Sequence, residues 1–234
     1  MEDLSFQNAN IDMSLEHQVR SMVGCLLYIA SWTRPDVMFT VNFVSRYQTK
    51  PSVKLVAACN RIFTFLKGTL NYRLRFVPTE PRILTAFVDA DLAGDVKDRK
   101  STSGIILLVF GCPVAWRAKK QQCVAVSSGE AEYVALSHAT TEIRATRNLF
   151  KVLDYTMPST MVLCDSTAAE GMAKTSETAK TRHIDLCYHN VRNAVANREI
   201  YIVKVDGKTN LADGFMKPLV PKKLFECFQN LFDR

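Results

Sequence analysis

The stretch of residues 83–94 constrains the fold more than any other part of the chain. Residues 83–88 form an apolar, β-forming run, and the carboxylates Asp89 and Asp91 follow at once, before Gly94. This order predicts a buried strand that ends in an acid, with a glycine that lets the chain turn away.

Three further acids lie at the edges of predicted apolar elements: Glu132 early in a helix, Asp165 at the end of a strand and Asp213 in the first turn of a short helix. On a helical wheel, Glu132 shares the apolar stripe with Leu136 and Ile143, whereas Glu130 lies almost opposite and is expected to face solvent. A carboxylate on an apolar stripe is costly unless it is paired or bound to a metal. Four such acids on separate elements predict a divalent-metal site.

Each acid also has a structural explanation when it is taken alone. Glu132 could be paired in the core, Asp165 could cap the following helix, and Asp213 could interact with the dipole of its own helix. The carboxyl ends of parallel strands are where sites assemble in open α/β sheets, so Asp89 and Asp165 would meet if their strands are neighbours. The metal-site hypothesis therefore depends on the shared geometry of the four acids.

Hydrophobic periodicity divides the chain into a helical part and a mixed α/β part. Residues 1–14 show no clear period and are expected to form a flexible N-terminal segment, and residues 15–72 carry three helices with short connections. Residues 73–220 follow, with the order βββ-α-β-α-α-β-α from residue 83, which predicts a mixed sheet covered by helices. Thr209 or Asn210 is expected to cap the short helix near Asp213, and residues 221–234 are expected to form a C-terminal helix.

The charge of the chain suits a polyanionic partner. The formal net charge is +7 over 234 residues, although modest basicity could also serve only solubility. Basic residues in loops around the predicted site could contact phosphate or could simply be solvated: Arg99, Lys100, Lys119, Lys120, Lys180 and Arg182. His183 could steady a phosphate, and a packed or surface histidine is the simpler interpretation.

The seven cysteines show neither metal-type nor disulfide-type spacing, which favours reduced thiols in a reducing compartment. No apolar run approaches the roughly 18 to 20 residues of a membrane span, and the N-terminus lacks a signal-peptide layout. We therefore expect an intracellular protein, cytoplasmic or nuclear, that is not secreted and has no membrane partner. The oligomeric state is not predicted by any pattern.

Short blocks of sequence follow one another in a characteristic order between about residues 20 and 220. They are VGCLLYI (23–29), TRPD (33–36), LKGT (66–69), VDAD with the glycine (88–94), DRKSTSG (98–104), KKQ (119–121), EAEY (130–133), CDS (164–166), RHID (182–185), LAD (211–213) and KPL (217–219). Together they resemble the C-terminal end of the Pol polyprotein of copia-type LTR retrotransposons. The terminal domain of that family resembles ribonuclease H.

This resemblance implies a ribonuclease H-like mixed five-stranded sheet with helices on both faces, preceded by a helical subdomain like the connection between polymerase and nuclease. It implies an endonuclease that hydrolyses the RNA strand of RNA–DNA hybrids with two Mg²⁺ ions, Mn²⁺ being a possible substitute. The catalytic and metal-binding acids would be Asp89, Glu132, Asp165 and Asp213, and residues 131–133 match the block of the family's catalytic glutamate. The partners would be the hybrid and the polymerase part of the same polyprotein.

The chain departs from the family pattern at several positions. Leu92 stands where a tryptophan is usual, Leu55 and Val56 replace a usual His-Trp pair, and Gly214 and Met216 replace bulkier and polar residues. Residues 206–210 contain no histidine, whereas cellular ribonucleases H carry one before the final acid. The alternatives are an inactive or domesticated fragment that binds nucleic acid or protein, and a related metal nuclease that acts on DNA. The four intact acids argue against the inactive fragment, and the block at residues 98–104 argues against the DNA nuclease.

Overall fold

The computed structural model describes residues 9–95, 97–166, 171, 185–217, 219 and 221–233. These residues form two compact units. The first contains the described residues up to Leu74 together with Phe232 and Asp233, and the second runs from Arg75 to Leu231.

The first unit is built on the three predicted helices, which are confirmed as α1 (Glu16–Trp32), α2 (Met38–Ser45) and α3 (Val53–Gly68). Helix α1 buries Val19, Val23, Leu26 and Ala30, one residue every three or four positions. Its continuation is interrupted because Arg34, which precedes a proline, leaves the helical region at φ −131°. Helix α3 begins after Ser52, whose hydroxyl accepts a hydrogen bond from the Leu55 N–H.

A buried ion pair organises the corner between α1 and α2. Arg34 donates from Nε and Nη2 to the two carboxylate oxygens of Asp36, at 2.9 and 2.7 Å, and both residues are less than a tenth exposed. The same guanidinium donates to the Thr69 hydroxyl at 2.7 Å and to the Thr69 carbonyl at 3.3 Å. It also lies 5.5 to 5.9 Å from three ring centroids, those of Phe65, Tyr72 and Phe232. The TRPD block is thus a structural feature of this unit.

The C-terminal segment differs from the prediction. The last helix begins at Pro221 but ends at Phe228, and a 3₁₀ turn (Gln229–Leu231) and strand β7 (Phe232–Asp233) follow. Strand β7 pairs antiparallel with β1 (Arg73–Leu74), with Leu74 opposite Phe232. The prediction of a helix across residues 221–234 is therefore too long. Main-chain pairing with a distant strand, which helical periodicity does not report, determines the conformation of the final residues.

The second unit contains a five-stranded mixed sheet. Its strands are β2 (Leu84–Ala90), β3 (Thr102–Val109), β4 (Cys112–Lys120), β5 (Thr160–Cys164) and β6 (Ile200–Lys204), in the spatial order β4-β3-β2-β5-β6. Strands β2, β3 and β4 pair antiparallel, whereas β5 is parallel to β2 and β6 is parallel to β5. Strand β2 is central and almost wholly buried, as its continuous apolar run predicts.

Helices cover both faces of this sheet. The long helix α4 (Ser128–Val152) and helix α5 (Asp185–Ala196) contribute to one core with the strand residues Ala86, Val88, Ile105 and Leu107. The short helix α6 (Asp213–Met216) packs on the opposite face, because a Cβ atom on Gly104 would meet Ala212 and Phe215 there. Helix α7 (Pro221–Phe228) contacts α6. The predicted fold class, a mixed five-stranded sheet with helices on both faces after a helical N-terminal part, is confirmed.

Among the described residues, the structure contains no helix with the length and hydropathy needed to cross a lipid bilayer.

Candidate active site

Two of the four acids come together because their strands are adjacent. Strands β2 and β5 pair in parallel register up to Phe87 opposite Leu163. Asp89 and Asp165 each stand two residues further along, at the same end of the sheet. Asp89 is 2% exposed, whereas Asp165 is only partly buried. The condition on which Asp89 and Asp165 were expected to meet, that their strands are neighbours, is therefore satisfied.

Glu132 reaches the same place from helix α4. Its side chain is 6% exposed and shares a hydrogen bond with the carboxyl group of Asp89. The Cys164 thiol lies 3.8 Å from Glu132 Oε2, and single ligand atoms of Glu132, Cys164 and Asp165 all lie within 4.8 Å of one another. The helical-wheel assignment of Glu132 to the inner face of α4 is confirmed.

The expectation that Glu130 faces solvent is wrong. Glu130 is 6% exposed, and its Oε2 accepts a hydrogen bond from the Val126 N–H at 2.7 Å. Its own N–H donates to the hydroxyl of Ser127, the N-cap residue. Glu130 is therefore part of the cap of α4, and this reciprocal arrangement fixes the start of the helix that carries Glu132.

Asp213 approaches from the other face of the sheet, in the first turn of α6. It forms an ion pair with Lys217, one turn later in the chain. The predicted cap is different in detail: the N-cap position is Ala212, and the Asn210 side chain accepts a hydrogen bond from the Ala212 N–H at 3.1 Å. Asp213 lies close enough to Asp89 to raise its pKa. The structure thus brings all four predicted acids into one cluster around Asp89.

The acids repel one another electrostatically. Burial, reinforced by the charges of Asp165 and Asp213, raises the pKa of Asp89 to about 7. Burial and the charges of Asp89 and Asp165 raise the pKa of Glu132 to about 9. Among the described residues, no lysine or arginine forms an ion pair with Asp89 or Glu132. The cluster therefore has an excess of negative charge that a bound cation would neutralise.

These pKa shifts predict how the stability of the metal-free protein depends on pH. The folded-state values, about 7 for Asp89 and about 9 for Glu132, lie above the ordinary values of 3.8 and 4.5, so the folded protein keeps protons that the unfolded chain has released. The protons bound to Asp89 and Glu132 make their full contribution to stability below the ordinary pKa values. This contribution is lost as the pH rises through the pKa values of the folded state. Urea unfolding in EDTA should therefore show falling stability from about pH 4.5 to about pH 9.

The double variant Asp89→Asn, Glu132→Gln provides the control for this pH dependence, because neither replacement titrates in that range. Its free energy of unfolding should fall less across the same interval than that of the wild type. Identical pH profiles for the two proteins would show that the buried acids are not protonated in the metal-free fold.

Gly104 permits the close approach of α6 to the sheet. It stands opposite Asp89 in the β2–β3 register, and a Cβ atom there would lie 2.5 Å from the Ala212 carbonyl oxygen. Because the backbone would have to move to relieve this contact, Gly104→Ala should destabilise the second unit by about 1–3 kcal/mol. It should also displace Asp213 from Asp89. Urea unfolding followed by the fluorescence of the buried Trp116 measures the effect, and an unchanged midpoint would contradict this packing.

The departures from the family pattern near the site are accommodated by the packing. A side chain on Gly214 would collide with the ring of Phe228, which packs edge-to-face with Phe215 at a centroid distance of 5.1 Å. Leu92 is 47% exposed and takes no part in the core. Leu55 is fully buried in the first unit. Replacement of the usual aromatic residues therefore leaves the acid cluster intact.

The predicted basic residues differ in their surroundings. Arg99 and Lys119 are exposed, Lys100 is partly exposed, and Lys119 lies in register with Ser103 and Ala90 at the acid end of the sheet. Lys120 instead pairs with Asp95 at 2.5 Å and Asp98 at 2.8 Å, so its charge is compensated locally. The remaining predictions lie outside the described residues: Lys180, Arg182 and His183.

Two buried amides close to the acids, Gln121 and Asn210, were not predicted to belong to the site. Gln121 is 1% exposed and Asn210 is 2% exposed. The only sequence signal for Gln121 is the KKQ block, and Asn210 was expected only as a helix cap. Their contacts join segments far apart in the chain, which local patterns do not report.

Comparison with known proteins agrees with the sequence blocks. No family model matches the chain. It is 35% identical over 212 residues to the retrovirus-related Pol polyprotein from transposon TNT 1-94 of Nicotiana tabacum, covering 90% of this chain and 16% of that protein. It is 34% identical over 204 residues to the Pol polyprotein from transposon RE1 of Arabidopsis thaliana, covering 86% of this chain and 14% of that protein.

Among solved structures, the ribonuclease H1 of Halobacterium salinarum NRC-1 aligns with a TM-score of 0.43 and 17% identity, covering 57% of this chain and 93% of that one.

The chain spans only a small part of the length of the two Pol polyproteins, although the match extends over most of its own residues. The relatives of this chain are thus retrovirus-related Pol polyproteins of copia-type retrotransposons.

Proposed function

We propose that the second unit is a metal-dependent endonuclease that hydrolyses the RNA strand of RNA–DNA hybrids, as a module of a retrotransposon reverse-transcriptase polyprotein. The observation that carries this proposal is the convergence of Asp89, Glu132, Asp165 and Asp213 from four separate segments of the chain. Similarity to the Pol polyproteins supports it, because reverse transcription produces hybrids whose RNA strand has to be removed.

The side chains fit a pair of hard divalent cations. All four acids offer carboxylate oxygens, the ligands that Mg²⁺ prefers, and Mn²⁺ accepts the same set. Asp89 would be the ligand shared by the two ions, because it lies beside Glu132 and near the carboxylates of Asp165 and Asp213. When bound, two such ions activate a water molecule and stabilise the leaving 3′ oxygen. The products would carry a 5′-phosphate and a 3′-hydroxyl.

The residues of the chain supply position and charge. Asp89 and Glu132 are held in a dry environment, where their interaction with a cation is stronger than at the surface. Lys217 holds the Asp213 carboxylate at the start of α6. Arg99, Lys100 and Lys119 are available for phosphate contacts, and recognition of the hybrid would use its A-like shape and the 2′-hydroxyls of the RNA.

The two units would have separate roles in the polyprotein. The second unit would form the nuclease, the helices of the first unit would form the helical connection, and the polymerase part of the same polyprotein would be the protein partner. As part of a retrotransposon polyprotein, the enzyme would act inside the cell, in the cytoplasm or the nucleus.

The test is incubation of the full chain with an end-labelled RNA–DNA hybrid in Mg²⁺, beside duplex DNA, duplex RNA and a reaction containing EDTA. We expect fragments of the RNA strand only from the hybrid and only with metal. Cleavage of duplex DNA instead would replace the proposal with a DNA nuclease. Binding of the hybrid without cleavage would overturn the enzymatic function and favour a binding module.

A further inference from the structure

We propose that Gln121 and Asn210 are positioning residues, two buried amides that hold the main chain immediately before three of the four acids. The inference rests on the proposed function and deepens it. Neither residue is a ligand in this account. Each acts by fixing a peptide group next to Asp89, Glu132 or Asp213, so that the acids keep the spacing that a pair of divalent ions requires.

Gln121 joins the sheet to the helix that carries Glu132. Its side-chain nitrogen donates to the Ala131 carbonyl at 2.8 Å and to the Ser103 hydroxyl at 3.0 Å. Because a carbonyl oxygen can only accept, the nitrogen of the amide has to face Ala131. Ala131 precedes Glu132 directly, and Ser103 lies in β3 beside Gly104, the register partner of Asp89. One side chain thus connects the helix that carries Glu132 to β3, the strand that pairs with the strand of Asp89.

Asn210 holds the main chain next to Asp89 and Asp213 in the same way. Its side-chain nitrogen donates to the Val88 carbonyl at 2.9 Å, across 122 positions of sequence, and its oxygen accepts from the Ala212 N–H at 3.1 Å. Val88 and Ala212 are the residues immediately before Asp89 and Asp213. The ladder between β2 and β5 ends at Phe87, so Asn210 binds the next carbonyl of β2. It therefore connects the start of α6 to the end of the central strand.

The chemistry of an amide suits this task. A lysine or arginine in either place would add a positive charge beside the acids and would compete with a metal ion for them. An amide can donate a hydrogen bond without carrying net charge, so it fixes the geometry and adds no positive charge beside the acids. Groups that orient metal ligands in this way typically change metal affinity when they are removed.

The experiment compares Gln121→Met and Asn210→Ala with the wild type in the full chain. Methionine keeps the approximate volume of glutamine and removes the donor. Binding of Mn²⁺, used as the probe ion, is followed by electron paramagnetic resonance, and cleavage of the hybrid is measured across a Mg²⁺ titration. Urea unfolding gives the folded fraction. We expect Mn²⁺ affinity to fall roughly 10- to 100-fold in both variants. We also expect the Mg²⁺ requirement for cleavage to rise in parallel, with partial recovery of the rate at high Mg²⁺.

Asn190→Ala is the matched control. Asn190 is also an amide of the second unit that bridges elements, since it donates to the Ser137 carbonyl at 3.1 Å and accepts from Arg144 at 2.6 Å. None of its partners adjoins an acid of the cluster. This variant should lose stability and leave Mn²⁺ affinity unchanged.

The outcomes separate this inference from the proposed function. If the wild type binds Mn²⁺ and cleaves the hybrid while both variants keep its affinity, the positioning role is overturned and the proposed function stands. The positioning role is also overturned if the loss of Mn²⁺ affinity is proportional to the loss of stability in all three variants, Asn190→Ala included. If the wild type binds no Mn²⁺, the inference and the proposed function fail together. Gln121 and Asn210 occupy different segments, so a folded variant at either position is sufficient.

Discussion

Asp89→Asn is expected to abolish cleavage of the RNA–DNA hybrid. Asparagine has nearly the same shape, but it lacks the negative charge that both metal ions would share. Because the four acids would act together in the proposed reaction, the rate should fall on the order of 10⁴-fold, the scale seen when one member of such a group is removed. The metal-free variant should be at least as stable as the wild type above about pH 7, since burial raises the pKa of Asp89 to about 7 and its charge costs free energy.

Asp91→Asn is the control for this result. Asp91 stands two positions further along, outside strand β2, and its carboxylate accepts the N–H of Thr102. An asparagine side chain can still accept that hydrogen bond, so cleavage should continue at a comparable rate. Substantial activity in Asp89→Asn, in protein free of wild-type contamination, would remove Asp89 from the site.

Arg34→Met is expected to produce the largest loss of stability, and it concerns the first unit. The substitution keeps an unbranched apolar side chain but leaves the buried Asp36 carboxylate without its bidentate partner. Removing one member of a buried ion pair typically costs about 3–5 kcal/mol because the remaining charge is stranded. The Thr69 hydrogen bonds and the contacts with three aromatic rings are lost as well. Urea unfolding followed by far-ultraviolet circular dichroism measures the difference.

Arg20→Met supplies the comparison for a surface ion pair. Arg20 forms an ion pair with Glu16 of the same helix at 2.8 Å, and the side chain of Arg20 is 60% exposed. Solvent screens such pairs, so the cost should be about 0.5 kcal/mol or less. If the Arg34 and Arg20 variants lose similar stability, the guanidinium of Arg34 is not the organising contact of this unit.

The acids could be found from sequence because each one interrupts a strong local pattern. Asp89 ends a continuous apolar strand, and Glu132 sits on the apolar stripe of a long helix, so periodicity alone identified both. The parallel pairing of β2 with β5, which brings Asp165 beside Asp89, was a conditional expectation that the register satisfies. Asp213 gives a weaker signal, because it follows only the short apolar run of Leu211 and Ala212 and its helix has four residues, and the resemblance to the Pol family supports it.

The errors have specific physical causes. The angle of Glu130 on the helical wheel predicts exposure to solvent. In the first turn of a helix, however, a side chain can accept a hydrogen bond from the main chain that precedes the helix, as Glu130 does from the Val126 N–H. The spacing of Ser127 and Glu130 is that of a capping box and contains this information. The overextended C-terminal helix has another cause, because the pairing of Phe232 with Leu74 joins residues more than a hundred positions apart.

Contacts across long sequence separations also explain why the amides of the site escaped prediction. Gln121 follows a strand and Asn210 lies in a loop, positions where a polar side chain ordinarily meets water. Only the fold shows that both are buried and that each binds the peptide group before an acid. Local patterns identified the groups that carry charge, and the tertiary structure identified the neutral groups that hold them in place.

The most direct test of the metal site is anomalous diffraction from crystals of the protein grown with Mn²⁺ and a non-cleavable RNA–DNA hybrid. We expect two peaks roughly 3.5–4 Å apart, with Asp89 contacting both ions and Glu132, Asp165 and Asp213 completing their coordination. A hybrid bound elsewhere, or ions that avoid Asp89, would contradict this expectation.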